Sequence, residues 1–168
     1  MPSKIEQELF MRYYDQNVGK VYGYAYHMTD GNVQTAQDVT SEVFRKALEA
    51  FGRFKGDDQK ATSWFLTIAA NYLRNSHRNF QRHPVTNQDM DTLHTQSPDP
   101  LNIVIQNEET QELLRNVRQL PPLQQNVVVL KFALGLSNKA VAEILETTEG
   151  AVKSHYHRAL VNLRKQKK

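Results

Sequence analysis

Between His83 and Asn107 the chain runs for 25 residues without a lysine or arginine, and three prolines, Pro84, Pro98 and Pro100, interrupt it. Proline fixes its own backbone and pushes the preceding residue toward extended conformations. Hydrophobic periodicity is weak across the same residues. The stretch therefore reads as a flexible linker, extended at least through Pro100. A chain of 168 residues divided in this way must build two separate cores, in residues 1–82 and 108–168. The second, of roughly 60 residues, is small enough to be only marginally stable by itself.

Both flanks carry helical rather than strand periodicity. Val18, Val21, Tyr22, Ala25 and Met28 recur at the spacing of one buried helical face. "TDGN" at 29–32 breaks that helix. A second follows with Ala36, Val39, Val43, Phe44, Ala47, Leu48 and Phe51 inward, and Gly56 marks a loop over residues 54–60. A third begins near Thr62. Its segment "SWFLTIAA" is apolar nearly all round, which places Trp64 in the core. From Asn71 onward it turns amphipathic: Asn71, Asn75 and Asn79, and likewise Arg74, Arg78 and Arg82, lie four apart and share one broad face. Past the linker, helicity resumes near Ile103 and runs through Leu113, Leu114 and Val117 until "LPP" stops it. The β-branched content of "LQQNVVVLKFAL" at 123–134 would suit a strand, but helical neighbours on both sides and the lack of a partner strand assign it to a helix ended by Gly135. The fold class is all-α: two small helical bundles on a flexible linker.

Charge narrows the partners. Residues 1–82 carry 11 Lys and Arg against 9 Asp and Glu, residues 108–168 carry 10 against 6, and the linker carries none against 3. Two mildly basic blocks flanking an acidic strip point to a polyanion for the blocks. Without a single cysteine, disulfides, thiolate zinc sites and cysteine nucleophiles are excluded. The six histidines lack metal-ligand spacing, and neither a nucleophile–base pair nor a glycine-rich phosphate loop is present, so neither an enzyme nor a cofactor is expected. The N-terminus lacks the apolar core of a signal peptide. No apolar run approaches the ~18 residues of a membrane span. A cytoplasmic protein without membrane insertion is the expectation.

The most informative segment is "LSNKAVAEILETTEGAVKSHYHRAL" at 136–160. Ser137 caps a short helix, "ETT" makes a tight polar turn, and a longer basic helix follows. Ala142 is small where two helices must cross, and Val152 is apolar where the second must pack back on the first. That is helix-turn-helix spacing, in which the second helix enters the major groove with its N-terminal residues on the bases. Thr148 caps it, so that its amide dipole faces a phosphate. Gly150 leaves room for close backbone approach. Lys153, Ser154, His157 and Arg158 reach outward, and such side chains pair with base edges or phosphates. His155 is expected on the same exposed side.

Residues 120–164, "LPPLQQNVVVLKFALGLSNKAVAEILETTEGAVKSHYHRALVNLR", resemble region four of the extracytoplasmic-function (ECF, group IV) sigma factors of bacterial RNA polymerase. "YAYHMTDGNVQTAQDVTSEVFRKALEAF" resembles the polymerase-binding helices of their region two, and "SWFLTIAANYLRNSHR" resembles the helix that opens and reads the downstream promoter element. The resemblance covers nearly the whole chain in the family's order. It implies a non-catalytic specificity subunit that binds core RNA polymerase and promoter DNA and directs initiation. It implies region two at 1–82, a linker at 83–107 that threads toward the RNA exit path, and region four at 108–168 reading the minus-thirty-five element. It assigns polymerase binding to Asp38, Thr40, Ser41, Glu42 and Arg45, and minus-ten recognition to Asn71, Arg74, Asn75 and Arg78, with Phe54 and Lys55 in the loop that holds a flipped base. An anti-sigma factor is the implied regulatory partner.

The chain departs from the family pattern at four positions. Glu146 stands where glycine is frequent, at a cost of about 1 kcal/mol if the backbone there is left-handed. Ala70 replaces a common arginine and Asn75 a common aspartate, and a common acidic residue near Ala140 is absent. Two other classes fit the residues alone: a stand-alone helix-turn-helix regulator with an N-terminal sensing bundle, and a helical interaction protein with a solubilising basic tail.

Overall fold

The computed structural model describes residues 3–82 and 108–166, with the backbone alone for 77–82. The linker expected at 83–107 lies outside the described residues. Among those described there are seven α-helices and no strand: α1 Lys4–Met28, α2 Val33–Ala50, α3 Asp58–Arg82, α4 Glu108–Arg118, α5 Pro122–Val128, α6 Asn138–Ile144 and α7 Glu149–Gln166. None is long and apolar enough to cross a membrane.

The first bundle comprises α1, α2 and α3. Helix α1 starts well before its clearest periodicity. Ser3 and Glu6 form a reciprocal capping box, which satisfies amides that the first turn leaves without partners. The chain then turns through Asp30 and Gly31, both left-handed at φ 56° and 72°. Asn32 caps α2 by accepting from the Thr35 amide at 2.9 Å. A short 3₁₀ turn, Phe51–Arg53, follows α2. Helix α3 begins at Asp58, one turn earlier than the apolar segment indicates. The Asp57 carboxylate accepts from the Lys60 amide at 3.0 Å, and an N-terminal carboxylate of this kind also suits the helix dipole.

Phe65 is the meeting point of these three helices. It is fully buried, 4.9 Å from the Phe44 ring and 6.2 Å from Phe10 between centroids. Most expected core positions are buried: Val21, Ala25, Ala36, Val39, Val43, Phe44, Ala47 and Phe51. Three expectations need correction. Leu48 is 46% exposed and Leu113 is 45% exposed; each sits at the edge of its helix's apolar stripe, where no neighbouring helix covers it. Trp64 is half-buried, because its ring packs along the flank of the core beside Phe54.

The C-terminal bundle is built from shorter pieces. Pro121 and Pro122 start α5, with proline at the first helical position, where an amide hydrogen has no use. The helix then widens into a π-helical turn, Val129–Ala133, and Gly135 reverses the chain with φ 67°. Ser137 caps α6 by accepting from the Ala140 amide at 3.1 Å. Helix α7 packs on α5 and α6, with Val152 and Ala159 buried and Asn162 donating to Gln124 of α5 at 2.9 Å. The two bundles also touch: α6 lies on α3, and the π turn lies on α1. At this contact Tyr24 is fully buried, and burial pushes its hydroxyl well above the ordinary phenol range, with the Arg74 charge opposing the shift.

The turn between α6 and α7 answers the question posed by Glu146. The Thr147 amide donates to the Ala142 carbonyl at 2.9 Å, and the Glu146 amide to the Glu143 carbonyl at 3.3 Å. This pair of bonds is a Schellman stop, which requires one left-handed residue and favours glycine there. Glu146 occupies that place with φ 55°. Its side chain is exposed. Glu146→Gly is therefore expected to stabilise the chain by up to about 1 kcal/mol, read as a higher urea midpoint; a lowered midpoint would show that the left-handed glutamate carries no strain.

Candidate nucleic-acid interface

Helix α7 presents its first two turns outward. Thr148 is its N-cap: the hydroxyl oxygen accepts from the Ala151 amide at 3.1 Å. Lys153, Ser154, His157 and Arg158 are all exposed, whereas Val152 on the opposite side is fully buried. This is the arrangement expected of a helix held from behind and offered to a groove. Gly150 is exposed, and a β-carbon built there would meet only the Thr148 hydroxyl, at 3.9 Å. Nothing inside the fold calls for a glycine at this position, so any steric need for it comes from outside the chain.

His155 departs from the expectation. It is half-buried, with Nδ1 enclosed, because its position turns it toward the flank of the helix rather than the open face. Tyr156 beside it is also half-buried and lies 4.6 Å below the Lys131 ammonium, which in turn bonds Asn138. One cation of the second bundle is thus engaged internally, on an aromatic face, and the free charge concentrates on α7.

The second expected surface lies on α3. Arg74 and Asn75 are exposed and Asn71 is half-buried, so these three share an outward face. The Arg78 side chain lies outside the described residues. Ala70 is buried, so this chain uses for packing a position where an arginine was a common alternative. Lys55 is exposed. Phe54 is not a free ring: it stacks on Trp64 at 4.7 Å and 26°, lies parallel to Phe51 at 6.1 Å and meets Tyr13 edge-on at 6.0 Å. It is half-buried, and a β-carbon on Gly56 would sit 2.7 Å from its ring. Phe54 belongs mainly to the aromatic core, and Lys55 is the loop residue that reaches solvent.

The third surface is the outer side of α2. Asp38, Ser41 and Arg45 are exposed and Glu42 is half-buried. Thr40 is turned inward: it is buried, and its hydroxyl donates to the Ala36 carbonyl at 2.7 Å. Its side chain is out of reach of a partner, because one step along a helix rotates a residue by about 100°. Arg45 bonds Glu42 and pairs with Glu49 at 2.6 Å. The hydrogen bond from Arg45 holds the Glu42 carboxyl below the usual carboxylate range. The face is therefore acidic in balance, and the exposed Leu48 stands one turn from Arg45 as an apolar element that periodicity placed inside. Leu48 borders the stripe formed by Phe44 and Ala47, and burial alone decides on which side of that border it falls.

Residues 13–83 match the family model of sigma-70 region 2, and residues 110–163 match that of sigma-70 region 4. The chain is 35% identical over 159 residues to the ECF RNA polymerase sigma factor BldN of Streptomyces coelicolor, which covers 94% of this chain and 60% of that protein. It is 29% identical over 164 residues to the ECF sigma factor SigX of Bacillus subtilis, covering 95% and 84% respectively. Among solved structures, the sigma factor RpoE of Bartonella quintana, crystallised with the anti-sigma factor NepR, has the same fold with a TM-score of 0.73 at 20% identity, covering 93% of this chain and 94% of that one. With region 2 carried by α1–α3 and region 4 by α4–α7, this chain belongs to the sigma-70 family and is an ECF sigma factor.

Proposed function

We propose that residues 1–82 dock on core RNA polymerase and open and read the minus-ten element, while residues 108–168 read the duplex minus-thirty-five element. The site of action is the cytoplasm, where polymerase and promoter meet. The chain supplies no catalytic chemistry; phosphate contacts and captured bases provide the binding energy that drives strand opening. The observation that carries this reading is the pair of outward faces, Lys153, Ser154, His157 and Arg158 on α7 and Asn71, Arg74 and Asn75 on α3, each backed by buried apolar residues. Asparagine amides can bond unpaired base edges, and arginine neutralises phosphate or stacks on a base. Extruding a base costs a few kcal/mol, which these contacts must offset. The outer face of α2, with Asp38, Ser41, Glu42 and Arg45, is the docking surface for polymerase, and Leu48 adds apolar area to it. An anti-sigma factor is the regulatory partner, by analogy with the complex in which the similar Bartonella quintana protein was crystallised. Run-off transcription from genomic fragments, with purified chain and bacterial core polymerase, tests the whole reading; failure to confer initiation on any template overturns it.

Three substitutions resolve the parts. Arg158→Ala is expected to cost roughly 1–3 kcal/mol in minus-thirty-five binding and to relax specificity at one base pair. A uniform loss across sequences in a competition assay would reassign Arg158 to a phosphate. Gly150→Ala should leave the urea midpoint unchanged or slightly raised, since alanine is the better helix former, while weakening upstream DNA binding; unchanged binding would remove Gly150 from the interface. Joint replacement of Asn71 and Asn75 by alanine should impair open-complex formation, followed by permanganate footprinting, more than closed-complex binding by gel shift. Equal loss at both stages would argue against strand capture.

A further inference from the structure

The match to sigma-70 region 4 ends at residue 163, but α7 runs on to Gln166. The added turn carries Arg164 and Lys165, both exposed. Seven residues make about two helical turns, so Arg164 stands on the same side of α7 as His157, and Lys165 on the same side as Arg158. No acidic residue follows Glu149 in the chain. Neither Arg164 nor Lys165 enters an ion pair among the described residues, whereas Arg12 and Arg45 are held by Asp58, Glu42 and Glu49. The pair thus prolongs the cationic face of α7 with its charge uncancelled.

The back of the same stretch is anchored, which fixes where these cations point. Ala159 is buried, Leu163 packs against the core, and Asn162 donates to Gln124 of α5 at 2.9 Å. Cations in a last turn also suit the helix dipole, but the dipole favours them equally on every side of the helix. It does not account for their alignment with His157 and Arg158. Length supplies the rest. From Lys153 to Lys165 the helix advances about 18 Å, whereas the major groove is about 12 Å wide and about 8.5 Å deep. A helix with its first turns on base edges therefore carries its last turn past the groove, level with the phosphates that border it.

We propose that Arg164 and Lys165 form a sequence-independent grip on duplex DNA, taking backbone phosphates beside the groove entered by Lys153, Ser154, His157 and Arg158. Such contacts position a reader without carrying base information. The place of the grip on a promoter rests on the reading of α7 proposed above; its phosphate chemistry rests on charge, exposure and helix length. Each phosphate neutralised on duplex DNA adds about 0.9 to the slope of log affinity against log salt. Two contacts add about 1.8, so between about 50 and 200 mM salt the chain loses about tenfold more affinity than it would without them.

Holoenzyme assembled from the full chain and bacterial core polymerase is titrated, across that salt range, onto a promoter fragment found by run-off transcription and onto a mixed-sequence duplex. The chains compared are the wild type, Arg164→Gln combined with Lys165→Gln, and Arg164→Lys. The double variant is expected to lower the salt slope by about 1.8 and to keep the ratio of promoter to mixed-sequence affinity. It should also lose phosphate-ethylation interference beside the minus-thirty-five element. Arg164→Lys, which keeps the charge, should keep the slope. An unchanged slope in the double variant overturns the grip, and a lowered urea midpoint in that variant would then assign the pair to the helix dipole. A fall in the affinity ratio would mean that the pair reads bases, and overturns the phosphate assignment. If no template supports run-off, the free full chain is titrated onto the mixed-sequence duplex alone. A slope difference there supports the phosphate grip while the sigma reading falls; an equal slope removes the grip as well.

Discussion

Burial of one face of each helix is what aims the other. Phe65 shows this most clearly. Its ring is enclosed by Phe44 of α2 and Phe10 of α1, so the rotations of three helices are settled around one side chain. Once α3 is turned so that Phe65, Leu66 and Ala69 are buried, Arg74 and Asn75 must face outward. Once Val39, Val43 and Ala47 are buried, Ser41 and Arg45 must do the same. Removing a large ring from such a site costs about 3–5 kcal/mol, a large share of what holds a small domain together. The outward faces of α2 and α3 are thus consequences of the interior.

The second bundle reaches the same end with less material. Helices α5 and α6 have seven residues each, far below the length at which a helix persists alone. Their stability comes from packing on α7 and from terminal capping by Ser137 and Thr148. The Schellman stop at Glu146 sets the angle at which α7 leaves α6, and with it the direction of Lys153, Ser154, His157 and Arg158. A left-handed glutamate at the pivot keeps the geometry that a glycine would adopt more readily. The turn therefore retains its shape, and the departure from the family pattern falls on stability.

The contact between the bundles combines apolar burial with specific hydrogen bonds. A compact chain protects apolar surface: Tyr24, Val127, Val128, Val129 and Leu130 are all buried. An interface with hydrogen bonds to Asn126 and Gln125 can exchange its partners for water at modest cost. An interface of leucine and phenylalanine alone would have no such exchange.

The amino-acid sequence alone was enough to determine the all-α class, most of the buried stripe and the Thr148 and Ser137 caps. Each of these is local: helical periodicity, capping chemistry and backbone handedness act over a few residues and leave their mark in spacing. Residues at the edge of a stripe were decided by neighbours that no spacing reveals. Leu48 and Leu113 are exposed because no helix covers them, Thr40 is buried by one step of rotation, and Phe54 is engaged because Trp64, Phe51 and Gly56 close around it. Contacts between residues about 100 positions apart, such as Tyr24 with Asn126, were decided by tertiary structure alone. They depend on how two independently formed surfaces fit, and that fit has no period along the chain.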